Sequence, residues 1–454
     1  MTSVESIVEI LARGPAARRE LQAAIGSSQP TLARLLARLG GRLVRMGRAR
    51  ATRYALLRPI RELREIPVHR VDTEGRIRLI GRIHPVQPEG LWFEDLERDT
   101  GALFPGLPWF IADMRPQGFL GRLFAHRCRD RGLPERLSDW TDNHVLYALA
   151  TLGEDQPGNL VLGEGSHERW QGMQREGPRV FPPAARGTQF RELAAAVLAG
   201  EPPGSSAGGE QQKFGAAIEE NGVVRHYIVK FSPPYGEALG RRWADLLVWE
   251  SLARDAIREA GIPAAETQLF DDGERMYLQV RRFDRVGAQG RRGVVSFAAL
   301  DDAFVGERNS WSGTAERLAR LGWITAEDAL RAAWLEGFGR LIGNTDMHFG
   351  NLSVLHDGPR PLALSPAYDM LPMAYAPRAT GEMSHAILEL SALPSRAHPH
   401  AASILGAAAR FWQAASNDPR VSAQGRQLAA GNADAIARVL DRTAPAVVAD
   451  KSQG

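Results

Sequence analysis

The stretch Leu341-Ile342-Gly343-Asn344-Thr345-Asp346-Met347-His348-Phe349-Gly350-Asn351 decides how this chain is read. Apolar residues at helical spacing (Leu330, Trp334, Phe338, Leu341) run into it, and Gly343 stands where a helix stop belongs. The loop that follows gathers a carboxylate, an imidazole and two carboxamides: Asn344, Asp346, His348 and Asn351. Eighteen residues beyond Asn351 comes a second acid, Asp369, in Pro366-Ala367-Tyr368-Asp369-Met370. Between them, Leu352–Leu355 and Pro361–Leu364 flank His356-Asp357-Gly358-Pro359-Arg360, a hairpin pattern whose return strand would carry Asp369 back towards Asn351. A carboxylate and a carboxamide oxygen meeting there suit Mg²⁺ held partly by phosphates.

Working outward, 454 residues exceed one ordinary core, so two to four domains are expected. An apolar share of 44% with 24% charge is that of a soluble globular protein. No apolar run approaches the roughly 20 residues of a membrane span. Met1 to Gly14 carries Glu5 and Glu9 and does not read as a signal peptide, so the cytoplasm is the expected compartment. A single cysteine, Cys128, excludes an internal disulfide framework and a Cys-rich zinc site.

Charge is unevenly spread. The net value is only +3, yet residues 1–58 hold eleven Arg against three Glu, which points to a polyanion partner for that segment. Of 56 basic residues only Lys213, Lys230 and Lys451 are lysine. In an arginine chain, an interior lysine suggests work for a compact ammonium.

Residues 1–58 read as helix, helix-turn-helix and a basic hairpin. Leu32, Leu35, Leu36 and Leu39 form the buried stripe of the third helix, which leaves Gln29, Thr31, Arg34 and Arg38 outward. Ser27 or Ser28 can cap it, and Arg48 and Arg50 lie between the two strands that follow. The order resembles a winged helix-turn-helix, with outward polar residues for base edges and the arginine-rich wing for phosphates. Residues 59–181 read as an α+β subdomain without chemistry of its own.

In residues 182–294, the segment Gly200 to Lys213 is rich in Gly, Pro and Ser, and lies outside the Walker pattern. Two strand-like runs follow, joined by Asn221-Gly222, a strong two-residue hairpin signal. Lys230 ends the second. A Gly-rich loop beside a strand lysine is suited to nucleotide phosphates. Glu250, on the helical run Glu237 to Ala260, can pair with Lys230. Residues 295–454 are dominated by helical patterns and read as an all-α lobe.

Asp346 and Asn351 stand five apart, the spacing of the protein-kinase catalytic loop, in which the acid handles the substrate hydroxyl and the amide binds metal. Asp346 and neighbouring His348 are therefore the catalytic candidates. Asn351 and Asp369 are the metal candidates. A competing set, Asp346, His348 and His356, would instead hold a hydrolytic metal.

Asn344-x-Asp346-x-His348-x-x-Asn351, then Tyr368-Asp369, with Ser-Ser-Ala-Gly-Gly-Glu-Gln-Gln-Lys upstream, resembles the HipA serine/threonine kinases of bacterial toxin–antitoxin systems over about residues 75–440. The added amino-terminal head makes the chain more similar to the YjjJ-type branch. The resemblance implies an α+β, two-lobed, protein-kinase-like fold with a β-rich amino-terminal part and an all-α carboxy-terminal lobe, preceded by a winged helix-turn-helix. It implies ATP and Mg²⁺ as cofactors, with Asp346 as base and Asn351 and Asp369 as Mg²⁺ ligands. Ser205, Ser206, Gly208, Gly209, Lys213, Lys230 and Glu250 would form the nucleotide side, with Ser206 as an inactivating autophosphorylation site. The implied partners are DNA at residues 1–58, a translation-related protein substrate and a HipB-like antitoxin. Arg281 after Val280, and Gln212 in place of a frequent proline, depart from the family pattern. A nucleotide-responsive regulator with an inactive kinase fold, and a small-molecule phosphotransferase, are the alternative readings.

Overall fold

The computed structural model describes residues 3–200, 211–237, 239–378, 380–390, 393 and 395–443. The chain divides into two compact units. The first holds residues 1–117, 124–178 and 288–292, and the second holds 118–123, 179–287 and 293–454.

The first unit opens with α1 (Ser3–Ala12), β1 (Ala16–Ala17), α2 (Arg18–Ile25), α3 (Gln29–Leu39), β2 (Leu43–Met46) and β3 (Arg53–Leu56). The strands form a small three-stranded sheet in the order β1-β3-β2. Leu32, Leu35, Leu36 and Leu39 of α3 pack on Ile7, Leu11 and Leu21. Each side chain so buried contributes about 1.5–3 kcal/mol. Ser28 is the residue before α3, with Pro30 in its first turn, but its hydroxyl shares a hydrogen bond with the Thr31 hydroxyl (3.0 Å) and caps no backbone N–H.

Next come β4 (Ile66–Val71), β5 (Ile77–Pro85), β6 (Leu91–Asp95), β7 (Thr100–Phe104), α4 (Trp109–Ala112), α5 (Gly118–Arg127), α6 (Asp142–Leu152), β8 (Leu160–Leu162) and α7 (Gly163–Glu176). These strands form a five-stranded antiparallel sheet, β7-β6-β5-β4-β8, over a core in which α6 contributes Val145, Leu146 and Leu149.

The second unit is built on another five-stranded sheet. Its elements are β9 (Val180–Phe181), α8 (Arg186–Ala199), β10 (Lys213–Glu220), β11 (Val223–Phe231), α9 (Gly240–Glu259), β12 (Thr267–Asp271) and β13 (Met276–Arg281), with strand order β12-β13-β11-β10-β9. Asn221 (φ 52°) and Gly222 (φ 76°) both take left-handed backbone, the turn that matches the twist of the β10–β11 hairpin. One sheet face packs Phe214, Val229, Phe231 and Tyr277 against Phe190 of α8. Lys230 alternates to the other face, towards α9.

Two short strands, β14 (Arg285–Val286) and β15 (Gly290–Arg291), lead to a lobe made of α10 (Phe297–Phe304), α11 (Trp311–Arg320), α12 (Ala326–Leu341), α13 (Ala401–Asn417) and α14 (Ala423–Thr443). This helical lobe also carries a three-stranded sheet, β16 (Val294–Ser296), β17 (Ser353–Leu355) and β18 (Ala363–Leu364). The hairpin after Asn351 supplies two of its strands, and the chain entering the lobe pairs with the first of them, β17. Among the described residues no helix is long and apolar enough to cross a membrane.

Candidate active site

The Asn221-Gly222 turn sets the register of the β10–β11 hairpin so that Lys213 lies directly opposite Lys230. Two of the chain's three lysines therefore face one another, with Cβ atoms about 4.5–5.5 Å apart. Like charges so placed are destabilising unless acids answer them. The acids come from elsewhere in the second unit. Lys230 Nζ donates to Glu250 Oε1 (2.7 Å) and Oε2 (2.8 Å) on α9, and to Asp369 Oδ1 (2.5 Å) beyond β18.

Lys230 and Glu250 are buried, 4% and 3% exposed, whereas Asp369 is half-buried. Burial alone would lower the Lys230 pKa, but the Asp369 and Glu250 carboxylates outweigh it and raise the ammonium well above the ordinary lysine range. Burial likewise pushes the Glu250 carboxyl up, Lys230 opposing and Asp369 adding to the rise. For Asp369 the balance reverses. Burial would raise it, yet Lys230, then Lys213, bring it down to about 2.

The helix α9 that carries Glu250 is held from several sides. Arg242 donates to the carbonyls of Tyr375 (3.2 Å) and Ser384 (3.0 Å). Asp245 accepts from the Ser422 N–H (2.7 Å) and hydroxyl (2.6 Å), and Trp249 packs on Tyr375 and Trp412.

On the helical side, Asp346 and His348 are exposed and Asn351 is buried. Asn351 Nδ2 donates to the Asp346 carbonyl (3.0 Å), while Asn344 Oδ1 accepts from the Asp346 N–H (3.0 Å). The Asp346 peptide is thus held at both ends and its carboxylate is left to solvent. His348 Nδ1 accepts from the Gly350 N–H (3.1 Å), so a neutral ring carries its proton on Nε2. The Tyr368 hydroxyl donates to the Gly350 carbonyl (2.7 Å) and lies 2.6 Å from Ser353 Oγ, which ties both ends of the hairpin together. Asp369 follows in left-handed backbone (φ 54°), an uncommon conformation for a residue other than glycine.

Lys230, Glu250, Asp369, Asp346 and Asn351 are therefore joined by one hydrogen-bond network that runs through the Asn344 side chain and the backbones of Asp346 and Asp369, with Lys213 opposite Lys230. Asn344 and Tyr368 hold the loops that carry these residues, and sequence reasoning assigned neither of them a role. The signal for Asn344 was present: an Asn two residues before Asp346 favours a turn in which its side chain accepts the later N–H. Ser205, Ser206, Gly208 and Gly209 lie outside the described residues.

Asp346, His348 and His356 do not gather as a metal site: among the described residues no three His, Cys, Asp or Glu side chains are so grouped. The Asp369 carboxylate is held by Lys230, and the Asn351 carboxamide, whose Nδ2 donates to the Asp346 carbonyl, keeps its Oδ1 as a further hard-oxygen donor. Donors of this kind fit Mg²⁺, which keeps several waters and shares its remaining ligands with phosphates.

In the amino-terminal head, Gln29, Arg34 and Arg38 are exposed on α3 and Thr31 is half-buried. Arg48 is ion-paired with Asp99, between β6 and β7. The Arg50 side chain lies outside the described residues.

The profile described as the HipA-like C-terminal domain matches residues 205–448, and that of the YjjJ-like toxin, middle domain, matches residues 62–171. The chain is 37% identical over 443 residues to Toxin YjjJ of Escherichia coli (strain K12), covering 97% of this chain and 99% of that protein. Among solved structures, a chain of the Shewanella oneidensis MR-1 toxin–antitoxin complex of HipA, HipB and operator DNA matches with a TM-score of 0.52 at 14% identity. That match covers 83% of this chain and 97% of the other, a likeness of fold.

Proposed function

The chain belongs to the HipA family as a relative of Toxin YjjJ, and on that premise we propose that it is an ATP- and Mg²⁺-dependent serine/threonine protein kinase carrying its own DNA-binding head. The observation that carries the reading is Lys230 Nζ held between Glu250 and Asp369, at 2.7 and 2.5 Å, with the Asp369 backbone linked through Asn344 to the loop of Asp346 and Asn351. A lysine fixed by a helix glutamate and facing a metal-binding acid is the arrangement that positions nucleotide phosphates for transfer.

In this reading Lys230 and Lys213 bind phosphate oxygens, and Glu250 keeps Lys230 oriented. Asn351 and Asp369 would hold Mg²⁺, which when bound supplies charge neutralisation at the phosphates. Asp346 orients the substrate hydroxyl and accepts its proton as the new O–P bond forms and the bond to the departing ADP oxygen breaks. His348, exposed and with its Nδ1 taken by the Gly350 N–H, can donate from Nε2–H to a phosphoryl oxygen. The arrangement needs only position and charge, which are what phosphoryl transfer chiefly requires. Autophosphorylation at Ser206 would act as the off-switch by adding charge to the nucleotide loop.

The head would bind DNA through Gln29, Thr31, Arg34 and Arg38 on α3, with Arg48 and Arg50 on phosphates once Arg48 leaves Asp99. A fused head would do in one chain what HipA and HipB do together on operator DNA in the structural neighbour, and toxicity would follow from phosphorylating a translation-related protein.

Purified protein incubated with labelled ATP and Mg²⁺ tests the reading. Label on a serine that mass spectrometry maps to Ser206, and that falls by about 10²–10⁴-fold in Asp346→Asn, is the expected result. ATP binding without any label would favour the regulator reading, and label only on an added metabolite would favour a small-molecule phosphotransferase.

A further inference from the structure

Helix α12 ends in a Schellman motif: the Gly343 N–H bonds to the Arg340 carbonyl (3.2 Å) and the Asn344 N–H to the Gly339 carbonyl (2.8 Å). The residue that closes such a motif commonly packs an apolar side chain back on the helix. Here it is Asn344, 4% exposed. The place opposite it, Gly339, has no side chain, and any Cβ there would run into Met347. A buried carboxamide at this position costs stability unless both of its ends are used.

Both ends are used, and by the two candidate acids. Asn344 Oδ1 accepts from the Asp346 N–H (3.0 Å), and Nδ2 donates to the Asp369 carbonyl (3.4 Å). Asp369 holds left-handed backbone while its carboxylate reaches Lys230, so its peptide needs an external hold. The Asn344 side chain thus bridges the backbones of both acids.

We infer that Asn344 is a positioning residue that sets the spacing between the Asp346 and Asp369 carboxylates, and through Asp369 the affinity of the site for Mg²⁺-nucleotide. The inference rests on the kinase reading and adds a residue to it. Only a carboxamide meets both requirements. Asp keeps an acceptor for the Asp346 N–H but turns an oxygen against the Asp369 carbonyl. Leu suits the helix end and loses both bonds.

The test uses full-length wild type, Asn344→Leu and Asn344→Asp. ATP affinity is measured without turnover across a MgCl₂ titration, beside thermal melts and label transfer. The expected result is an Asn344→Leu melting temperature at or above wild type, with an Mg²⁺ midpoint raised and label transfer lowered by about 10–100-fold, the usual scale for residues supporting metal ligands. ATP affinity without Mg²⁺ should stay within about two-fold, because Lys230 and Glu250 are untouched. Asn344→Asp should also raise the Mg²⁺ midpoint. Wild-type midpoints in both variants, or losses in Asn344→Leu that merely follow a fall in melting temperature, overturn the positioning role while leaving the kinase reading standing. Absence of Mg²⁺-dependent ATP binding in wild type overturns both.

Discussion

In the second unit, Lys230 and Glu250 are buried, and each carries a fixed, short-range partner. On α3 of the first unit, Arg34 and Arg38 stand exposed along one face. The difference follows from what each region would meet. A nucleotide's reacting phosphate needs cations held in place before it arrives, since moving them during reaction would add to the barrier. A DNA backbone needs only a field and reachable donors, and its affinity grows with the number of counterions released. Buried, paired charge is therefore costly to disturb, whereas exposed charge can be removed without touching the fold.

The contrast is sharpest for Lys230→Met. It leaves Glu250 and Asp369 without the cation between them, and chemical denaturation at neutral pH should show a loss of about 3–5 kcal/mol. Because Glu250 already titrates above the usual carboxylate range, the variant should regain part of this loss on acidification as Glu250 takes up a proton. Adding Glu250→Gln should restore most of the stability, though not label transfer. A neutral Lys230→Met would erase the distinction between the two regions.

Arg34→Ala with Arg38→Ala should leave both melting temperature and label transfer at wild-type values. Retention on DNA should weaken by about 1–3 kcal/mol for each arginine that reads a base edge, and the salt dependence should flatten by about one counterion for each that pairs with a phosphate. DNA affinity indifferent to both changes and to salt would remove the head's proposed role.

The smallest expected effect is the acid limb of stability. Asp369 titrates at about 2 in the folded protein against an ordinary 3.8, so the folded state binds fewer protons across that interval. Its stabilisation is complete above the ordinary value and is lost as pH falls towards about 2. A melting-temperature gap between wild type and Asp369→Asn should accordingly close over that window, and a gap that stays constant with pH would show that the charge on Asp369 plays no part.

Much of this organisation is local and could be read in the chain. Asn221-Gly222 places Lys213 across from Lys230, because a two-residue turn leaves one register. Gly343 stops α12, because only glycine enters left-handed backbone without cost. The leucines of α3 choose its buried face by their spacing, and so choose which arginines face outward. The five-residue step from Asp346 to Asn351 is visible because one loop contains it.

Tertiary structure alone decided the remainder. Lys230 and Asp369 are 139 residues apart, and nothing in either neighbourhood announces the other. The left-handed turn at Asp369, the hold of Asn344 on two acids and the fixing of α9 by Arg242, Asp245 and Trp249 exist only once the cores have closed. Arg48 looks like any wing arginine until Asp99 is folded beside it. Turn chemistry and periodicity depend on adjacent residues, whereas the strength and protonation of a buried ion pair depend on what the rest of the chain has excluded from around it.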